Sequence, residues 1–320
     1  ATIQVGRHQV PLESDLSTPL AYFLSQPEFD DTRLSTLGLL APDQAQQLTG
    51  LYMMEPYQPG KIPVLMVHGL WSSPVTWMEM FNDLRSSPKI RKYYQFWFYL
   101  YPTGQPFWLS AAELRGDLAY ARQILDPHRQ QPALDQSVLV GHSMGGLVAR
   151  LQVIESGNRF WSVVTDRPFA DLKAEADRRE RLAAMFFFQP NASIRRVISI
   201  ATPYRGSQFA NDTTRWLGRK LISLPSRMLQ TRQALLRDNQ GYFRPSALLA
   251  VNTSIDSLSP DSPLLPPLRS APPAPWVKVN NIVGRLADPG VVAKMTGVED
   301  GDGVVSFTSA HLDDVDSEVT

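Results

Sequence analysis

The stretch Val138-Leu-Val-Gly-His-Ser-Met-Gly-Gly146 passes from β-branched apolar residues into three glycines, with a serine between the first two. An apolar run of this kind predicts a buried strand, and the glycines that follow predict a tight turn into a helix. Gly141 and Gly145 lack the Cβ atoms that would obstruct the turn, so Ser143 would protrude at the carboxyl end of the strand. We therefore interpret Ser143 as a nucleophile, against the alternative that the glycines mark a purely structural turn.

A second glycine-containing junction, Val67-His-Gly-Leu-Trp71, follows another apolar run upstream. Acyl transfer requires hydrogen-bond donors for the negative charge that develops on the carbonyl oxygen. One donor commonly comes from the residue after the nucleophile, and the other from an earlier strand-to-helix loop. We therefore expect the backbone N–H groups of Leu70 and Met144 to form an oxyanion hole, whereas His68 and His142 brace their loops.

The rest of the chain alternates short apolar runs with helix-like stretches, a pattern typical of a mostly parallel sheet covered by helices. The predicted strands are residues 62–69, 94–101, 137–141, 196–201 and 276–283. Apolar residues at helical spacing predict the two main helices, which are residues 111–125 and 145–155. The sequence therefore predicts an α/β fold in which helices connect the strands of one sheet.

Two regions interrupt this alternation, and a third precedes it. Residues 1–55 are expected to be an N-terminal extension packed on the core, and residues 56–320 the main α/β domain. Insertions are expected at about 158–191, which carries a charged helical run, and at 204–275, which becomes rich in proline. Within the second insertion, the apolar and basic residues of 215–224 favour either an ordinary amphipathic helix or a lid over the site.

Composition restricts the classes of function. Lys and Arg together number 31, as do Asp and Glu, and the pI near 7.2 predicts no basic surface for nucleic acid. The absence of cysteine excludes disulfides, thiolate metal sites and a cysteine nucleophile. No apolar run approaches the roughly 20 residues of a membrane span. A start at Ala1 without a basic and apolar leader favours a processed export signal or a trimmed start, and we lean towards export.

Four motifs together resemble the serine lipases and esterases of the α/β-hydrolase fold. They are His68-Gly69-Leu70, the turn at 141–145, Ala201-Thr-Pro-Tyr-Arg-Gly-Ser207 and Asp302-Gly-Val-Val305, in the order that this family uses. The resemblance covers residues 60–310 and implies a mostly parallel central sheet with helices on both faces. Tyr204 stands where the lipase-like branch commonly has histidine, which bears on the lining of the pocket.

The resemblance also implies an acid after a late strand and a histidine after the acid. Asp302, directly before Gly-Val-Val, is the expected acid, and Asp288 is the alternative. The aspartates of this segment do not predict a calcium loop, because Val304 and His311 occupy positions that need oxygen ligands.

The sequence leaves two alternatives for the histidine that would act as the general base. Of the five histidines only His311 follows Asp302, and residues 303–310 alone separate the two. The family normally places a further strand between the acid and the histidine. His311 is therefore either the base or an ordinary surface residue, and our hypothesis is that the usual histidine lies beyond Thr320.

These features predict a serine hydrolase that cleaves carboxylic esters of small molecules or lipids through an acyl-enzyme on Ser143, with no cofactor and no metal. An acyltransferase or a thioesterase would use the same residues, and a catalytically silent binding protein would retain only the scaffold. A dehalogenase or an epoxide hydrolase would need an aspartate in place of the serine, which argues against both.

Further expectations concern the partners and the substrate pocket. We expect no nucleic-acid partner. The resemblance to lipases is compatible with a transient contact with a membrane or lipid surface. Four aromatic residues that follow predicted strands would either line an acyl pocket or belong to the core: Trp71, Trp77, Phe107 and Trp108.

Overall fold

The structure is a computed structural model that describes residues 2–11, 18, 22, 26, 31–207, 226–244, 253–286, 298 and 300–320. Two predicted features, the amphipathic segment 215–224 and the alternative acid Asp288, lie outside the described residues. The predicted insertion at 204–275 is described only in part.

The described residues form a two-stranded hairpin and a seven-stranded sheet. In chain order the strands are β1 (Thr2–Val5), β2 (His8–Pro11), β3 (Gly50–Met53), β4 (Ile62–Val67), β5 (Tyr94–Leu100), β6 (Ser137–His142), β7 (Ile194–Ile200), β8 (Lys278–Ile282) and β9 (Ser317–Val319). The large sheet has the order β3-β5-β4-β6-β7-β8-β9, and every neighbouring pair is parallel except β3 and β5. The predicted mostly parallel α/β sheet is therefore confirmed.

Burial explains why these short segments form strands. From Pro63 to Val67, every residue of β4 is buried, as expected of a central parallel strand that is covered on both faces. Each of the five predicted strands is present, and its ends differ from the prediction by at most two residues. The long apolar runs were therefore sufficient to locate the middle of the sheet.

The α-helices of the described residues are α1 (Asp31–Leu40), α2 (Pro42–Ala45), α3 (Met78–Ser86), α4 (Pro88–Tyr93), α5 (Phe107–Leu125), α6 (Met144–Arg150), α7 (Trp161–Val164), α8 (Ala176–Phe186), α9 (Ser226–Asp238), α10 (Ser254–Ser257), α11 (Leu265–Ser270) and α12 (Phe307–Ala310). Helices cover both faces of the sheet. On one face Phe81 of α3 packs edge-on against Phe96 and Phe98 of β5. On the other face Trp97 and Tyr99 of the same strand join the larger core with α5 and α6. In the described part of the chain, no helix combines the length and apolar character needed to cross a membrane.

The central sheet begins before residue 55, the predicted boundary of the N-terminal extension. β3 pairs antiparallel with the second half of β5, with Met53 opposite Trp97 and Gly50 opposite Leu100. A four-residue edge strand that starts with glycine gives little periodicity, so the sequence did not predict it. Backbone hydrogen bonds of β3 therefore join the extension to the core.

The predicted insertion at 158–191 contains two helices that pack on an aromatic cluster. Trp161 of α7 contacts Phe169 and Phe186 edge-on, with ring centroids 4.9 Å and 5.4 Å apart. The predicted charged helical run corresponds to α8. Arg115 of α5 places its guanidinium 3.9 Å from the centre of the Phe188 ring. These contacts fix the insertion against the same face of the sheet as α5 and α6.

Candidate active site

Backbone strain concentrates at the carboxyl edge of the sheet, where β4, β6 and β7 end beside one another. Four non-glycine residues of the described chain have a positive φ, and three of them follow these strands. They are Trp71 (49°), Ser143 (51°) and Ala201 (50°). Such conformations cost on the order of 1–3 kcal/mol each and cluster at functional sites. This edge is therefore the part of the described fold that bears the most backbone strain.

Ser143 occupies the turn between β6 and α6. Its φ of 51° and ψ of −123° turn the chain sharply, and its own N–H donates to the Ile200 carbonyl of β7 at 2.8 Å. The turn is possible only because its glycines lack side chains. A Cβ at Gly141 would lie 2.5 Å from the Gly145 carbonyl oxygen, and one at Gly145 would lie 2.2 Å from the Val67 carbonyl oxygen. The glycine spacing therefore has the steric role that the sequence predicted.

The loop after β4 lies directly against this turn. A Cβ at Gly69 would be 3.0 Å from the Ser143 Cβ, a contact tighter than ordinary van der Waals distance, so glycine favours this close approach. In the described residues, neither the Leu70 nor the Met144 backbone N–H donates a hydrogen bond to another protein atom. Both N–H groups are the predicted donors of the oxyanion hole. Leu70 follows Gly69 and Met144 follows Ser143, and Gly69 and Ser143 lie against each other.

His68 is fully buried within the loop. Its ring stacks on Tyr101 with centroids 4.5 Å apart, and the Tyr101 hydroxyl donates to the His68 carbonyl at 2.6 Å. Burial lowers the pKa of His68 to about 4, although a contact with the Gly69 carbonyl raises it in part. At neutral pH the imidazole is therefore uncharged and acts as packing. Tyr101 was missed by sequence reasoning, because an aromatic residue at a strand end carries no distinctive signal.

Asp302 lies near the carboxyl end of β8, beside Gly284. A Cβ at Gly284 would be 2.9 Å from the Asp302 Cβ. The Asp302 carboxylate accepts hydrogen bonds from the backbone N–H groups of Val304 at 2.8 Å and Val305 at 2.7 Å. Its charge also raises the pKa of His142, against the larger effect of burial, which lowers it. The structure thus brings the predicted acid to the same edge of the sheet as the residue before Ser143.

The side-chain hydrogen bonds of His311 go to two carboxylates and not to Ser143. Its Nδ1 lies 2.7 Å from a Glu318 carboxylate oxygen, and its Nε2 lies 3.1 Å from an Asp313 carboxylate oxygen. The hydrogen bond to Glu318, followed by the charges of both carboxylates, raises the pKa of His311. The ring also stacks on Phe307, with centroids 5.7 Å apart. In this arrangement both ring nitrogens face carboxylates, and neither is free to accept a proton from the serine hydroxyl.

The segment after β7 supports the turn in a way that sequence reasoning missed. A Cβ at Gly146 would lie 1.8 Å from the Thr202 hydroxyl oxygen, so the start of α6 packs directly on this segment. The sequence feature that could have indicated this contact is the second glycine of the pair at 145–146. Tyr204, expected to bear on the pocket lining, is fully buried, and the Arg150 guanidinium opposes the rise in its pKa that burial causes. Tyr204 therefore packs in the core and does not face an open pocket.

The four aromatic residues that could line an acyl pocket fall into two groups. Trp77, Phe107 and Trp108 are each at most 4% exposed and belong to the core. Trp71 is 63% exposed, and it directly follows Leu70, one of the two predicted oxyanion-hole residues. Among the described residues, no group of three or more His, Asp or Glu side chains is arranged to hold a metal ion.

The fold resembles that of several solved lipases and esterases. The mature lipase BlEst2 of Bacillus licheniformis is 18% identical, with a TM-score of 0.48 and coverage of 83% of this chain and 87% of that chain. EstA of Clostridium botulinum is 13% identical, with a TM-score of 0.47 and coverage of 82% and 78%. The metagenomic carboxyl esterase MGS0156 is 17% identical, with a TM-score of 0.42 and coverage of 82% and 63%. Likenesses at this level say nothing about the reaction.

A search of curated proteins found no match. The sequence model of the alpha/beta hydrolase family matches residues 64–311, which run from β4 past the turn at Ser143 and the segment at Asp302 to His311. This span is more than three quarters of the 320 residues, and it contains the strands and the helices that the family resemblance implied. The chain therefore belongs to the alpha/beta hydrolase family.

Proposed function

We propose that the protein hydrolyses carboxylic esters through an acyl-enzyme formed on Ser143. The observation that carries this proposal is the left-handed backbone of Ser143. This residue lies against Gly69 in the loop after β4, which is the proposed oxyanion loop. A serine that only ended a strand would gain nothing from such a conformation. A nucleophile gains exposure and direction from it, because the side chain is lifted out of the sheet towards the substrate.

In the first proposed step, a general base removes the Ser143 proton as Oγ attacks the carbonyl carbon of the ester. The electron pair of the C=O bond moves to oxygen, and the N–H groups of Leu70 and Met144 donate to that oxyanion. Collapse of the tetrahedral intermediate breaks the bond to the alkoxy oxygen, which leaves as the alcohol with the proton from the base. Water then attacks the acyl-serine in the same way and releases the carboxylic acid.

Asp302 is proposed to orient the base. Two backbone N–H groups hold its carboxylate in place at the carboxyl edge of the sheet, which suits a group that must fix the ring of a histidine. His311 can serve as the base only if its ring leaves Glu318 and Asp313. A histidine beyond Thr320 stays a prediction. Unchanged ester hydrolysis in His311→Gln would remove His311 from this role.

The proposal is tested by replacing the nucleophile. Ser143→Ala should reduce the kcat for p-nitrophenyl butyrate by orders of magnitude, since loss of a nucleophilic serine can cost about 10⁶-fold. Ser137→Ala is the matched control, because Ser137 lies at the opposite end of the same strand and its hydroxyl donates to the Leu134 carbonyl. Circular dichroism would show that both variants are folded. Full activity in Ser143→Ala would end the proposal.

The second candidate is a catalytically silent binding protein. It is favoured by one observation, which is that both nitrogens of His311 face carboxylates. A fluorophosphonate probe separates the two candidates, because a serine without an activating base reacts slowly. An acyltransferase or a thioesterase would use the same site. Product analysis with an added alcohol acceptor, and assays with thioesters, would distinguish these reactions from ester hydrolysis.

A further inference from the structure

A cavity of about 530 Å³ lies at the amino edge of the sheet, away from the site just described. It opens where β3 ends, because β3 pairs only with Trp97–Leu100 and leaves Tyr94–Phe96 of β5 without a strand on that side. The chain from 54 to 61 bends away from the sheet there, while α3 and α4 close the other side. The volume is in the usual range of small-molecule sites, about 300–1,000 Å³.

The cavity is rich in positive charge. Three cationic side chains line it, Lys61, Arg85 and Arg91, against a single carboxylate, Glu55. Glu55 pairs with Arg85 at 2.6 Å, which leaves two cations in excess. In the described residues neither Lys61 nor Arg91 has a carboxylate partner within salt-bridge distance. Arg91 instead donates from one guanidinium nitrogen to the Arg85 carbonyl at 2.5 Å and the Ser86 carbonyl at 2.8 Å, and these contacts anchor it beside the end of α3 without neutralising its charge. An anion would therefore find unpaired charge here.

The rest of the wall is apolar and fixed. Three aromatic residues contribute to it, Phe81 and Phe96 from one face of the sheet and Trp97 from the other. Gln95 holds the rim, because its side-chain amide donates to the Gln58 carbonyl at 3.0 Å and to the Lys61 carbonyl at 2.7 Å. These bonds position the backbone of Lys61 in the absence of any ligand. A preformed site with apolar walls and a few polar groups is the common design of a small-molecule site.

We propose that this cavity binds a small organic anion, with a carboxylate or phosphate group beside Lys61 and Arg91 and an apolar body against the aromatic wall. The site is distinct from the one at Ser143. Lys61 precedes β4 and Leu70 follows it, and the six residues of that strand span about 20 Å. The inference does not depend on the proposed esterase activity, because it uses only the charge and shape of the opposite edge of the sheet.

Calorimetric titration tests this site with three probes of one shape: phenylacetate, phenyl phosphate and benzyl alcohol. The two anions carry the alternative head groups, and the alcohol carries no charge. At least one anion should bind with a Kd of about 1 mM or tighter, and benzyl alcohol should bind at least about tenfold more weakly. The anion that binds more tightly identifies the head group.

Variants of one position then locate the binding. Lys61→Gln should raise the Kd of the anion about tenfold, because a charge-assisted hydrogen bond is lost. Lys61→Arg should restore most of the affinity. Lys92→Gln is the matched control, since Lys92 is exposed on α4 outside the cavity, over the ring of Tyr93. The proposal is overturned if neither anion binds, if benzyl alcohol binds equally well, or if Lys61→Gln binds as the unchanged protein does.

Discussion

At the scale of single residues, the conformation of Ser143 carries a cost in stability. Its φ and ψ lie in a region that residues with a Cβ avoid. The packing of β6, α6 and the loop at Gly69, together with the hydrogen bond to Ile200 of β7, maintains the conformation. This conformation was predictable because the two flanking glycines are local to the turn. The surroundings of His311 were not predictable, because its partner Glu318 lies on β9 and meets it only in the folded chain.

The strain at Ser143 predicts a difference between two substitutions. Ser143→Gly should have a free energy of unfolding about 1 kcal/mol above that of Ser143→Ala, because glycine adopts a positive φ without the Cβ penalty. This difference in unfolding free energy has two parts. Glycine relieves the backbone strain of the folded state, but it also gives the unfolded chain more conformational entropy, which offsets part of the gain. Urea denaturation of the two variants measures it. Equal stabilities would mean that the backbone at this position is relaxed.

At the scale of elements, short apolar or alternating runs predicted β4 to β8, and burial is most complete in the central strand β4. The edge strands β3 and β9 have four and three residues and no comparable run, so only their partners define them. Because β3 has no such apolar run, the sequence placed the start of the main domain at residue 56, after this strand. The contact of α6 with the segment after β7 likewise depends on packing between distant parts of the chain.

Two glycines in helices should respond oppositely to alanine. Gly146→Ala should lower the free energy of unfolding by about 1–3 kcal/mol, because its Cβ would overlap the Thr202 hydroxyl near the start of α6. Gly116→Ala should raise it by about 0.5–1 kcal/mol, because Gly116 is inside α5 with open space at its Cβ position. Thermal or urea denaturation measures both. A stabilised Gly146→Ala would contradict the tight contact between α6 and Thr202.

The loop after β4 predicts a dependence of stability on pH. Burial lowers the pKa of His68 from 6.5 to about 4, so the unfolded state binds the proton more readily. Stability from this group is complete above pH 6.5 and is lost as the pH falls to about 4, up to about 3 kcal/mol. His68→Phe keeps the ring on Tyr101 and removes the titration, so its unfolding free energy should fall less over this window.

Two other histidines have perturbed pKa values, and neither obscures that measurement. Burial lowers the pKa of His142, but His142 is present in both proteins and contributes equally to both. The pKa of His311 is raised, chiefly by the hydrogen bond to Glu318, so below pH 6.5 it is protonated in both the folded and the unfolded states. Its own contribution is lost only as the pH rises through its folded pKa. Carboxylates such as Glu318 also titrate in acid, and they contribute equally to both proteins. Equal pH slopes for the unchanged protein and His68→Phe would contradict the assignment.

At the scale of the whole molecule, the two edges of the sheet differ in chemistry. The carboxyl edge brings together a strained serine, the loop after β4 and Asp302, while the amino edge carries a cavity with unpaired cations. The motifs predicted the first edge because they are contiguous in sequence. The cavity could not be predicted, because Lys61, Arg85 and Arg91 are scattered along the chain and meet only where β3 stops short of the start of β5.

The central claim is that Ser143 is an activated nucleophile, and covalent labelling tests it most directly. The protein is incubated with a fluorophosphonate, and the modified residue is located by mass spectrometry of its peptides. We expect one label per chain, on Ser143, with loss of ester hydrolysis in proportion to labelling and no label in Ser143→Ala. Labelling of a different serine, or an unlabelled Ser143 in a protein that hydrolyses esters, would contradict it.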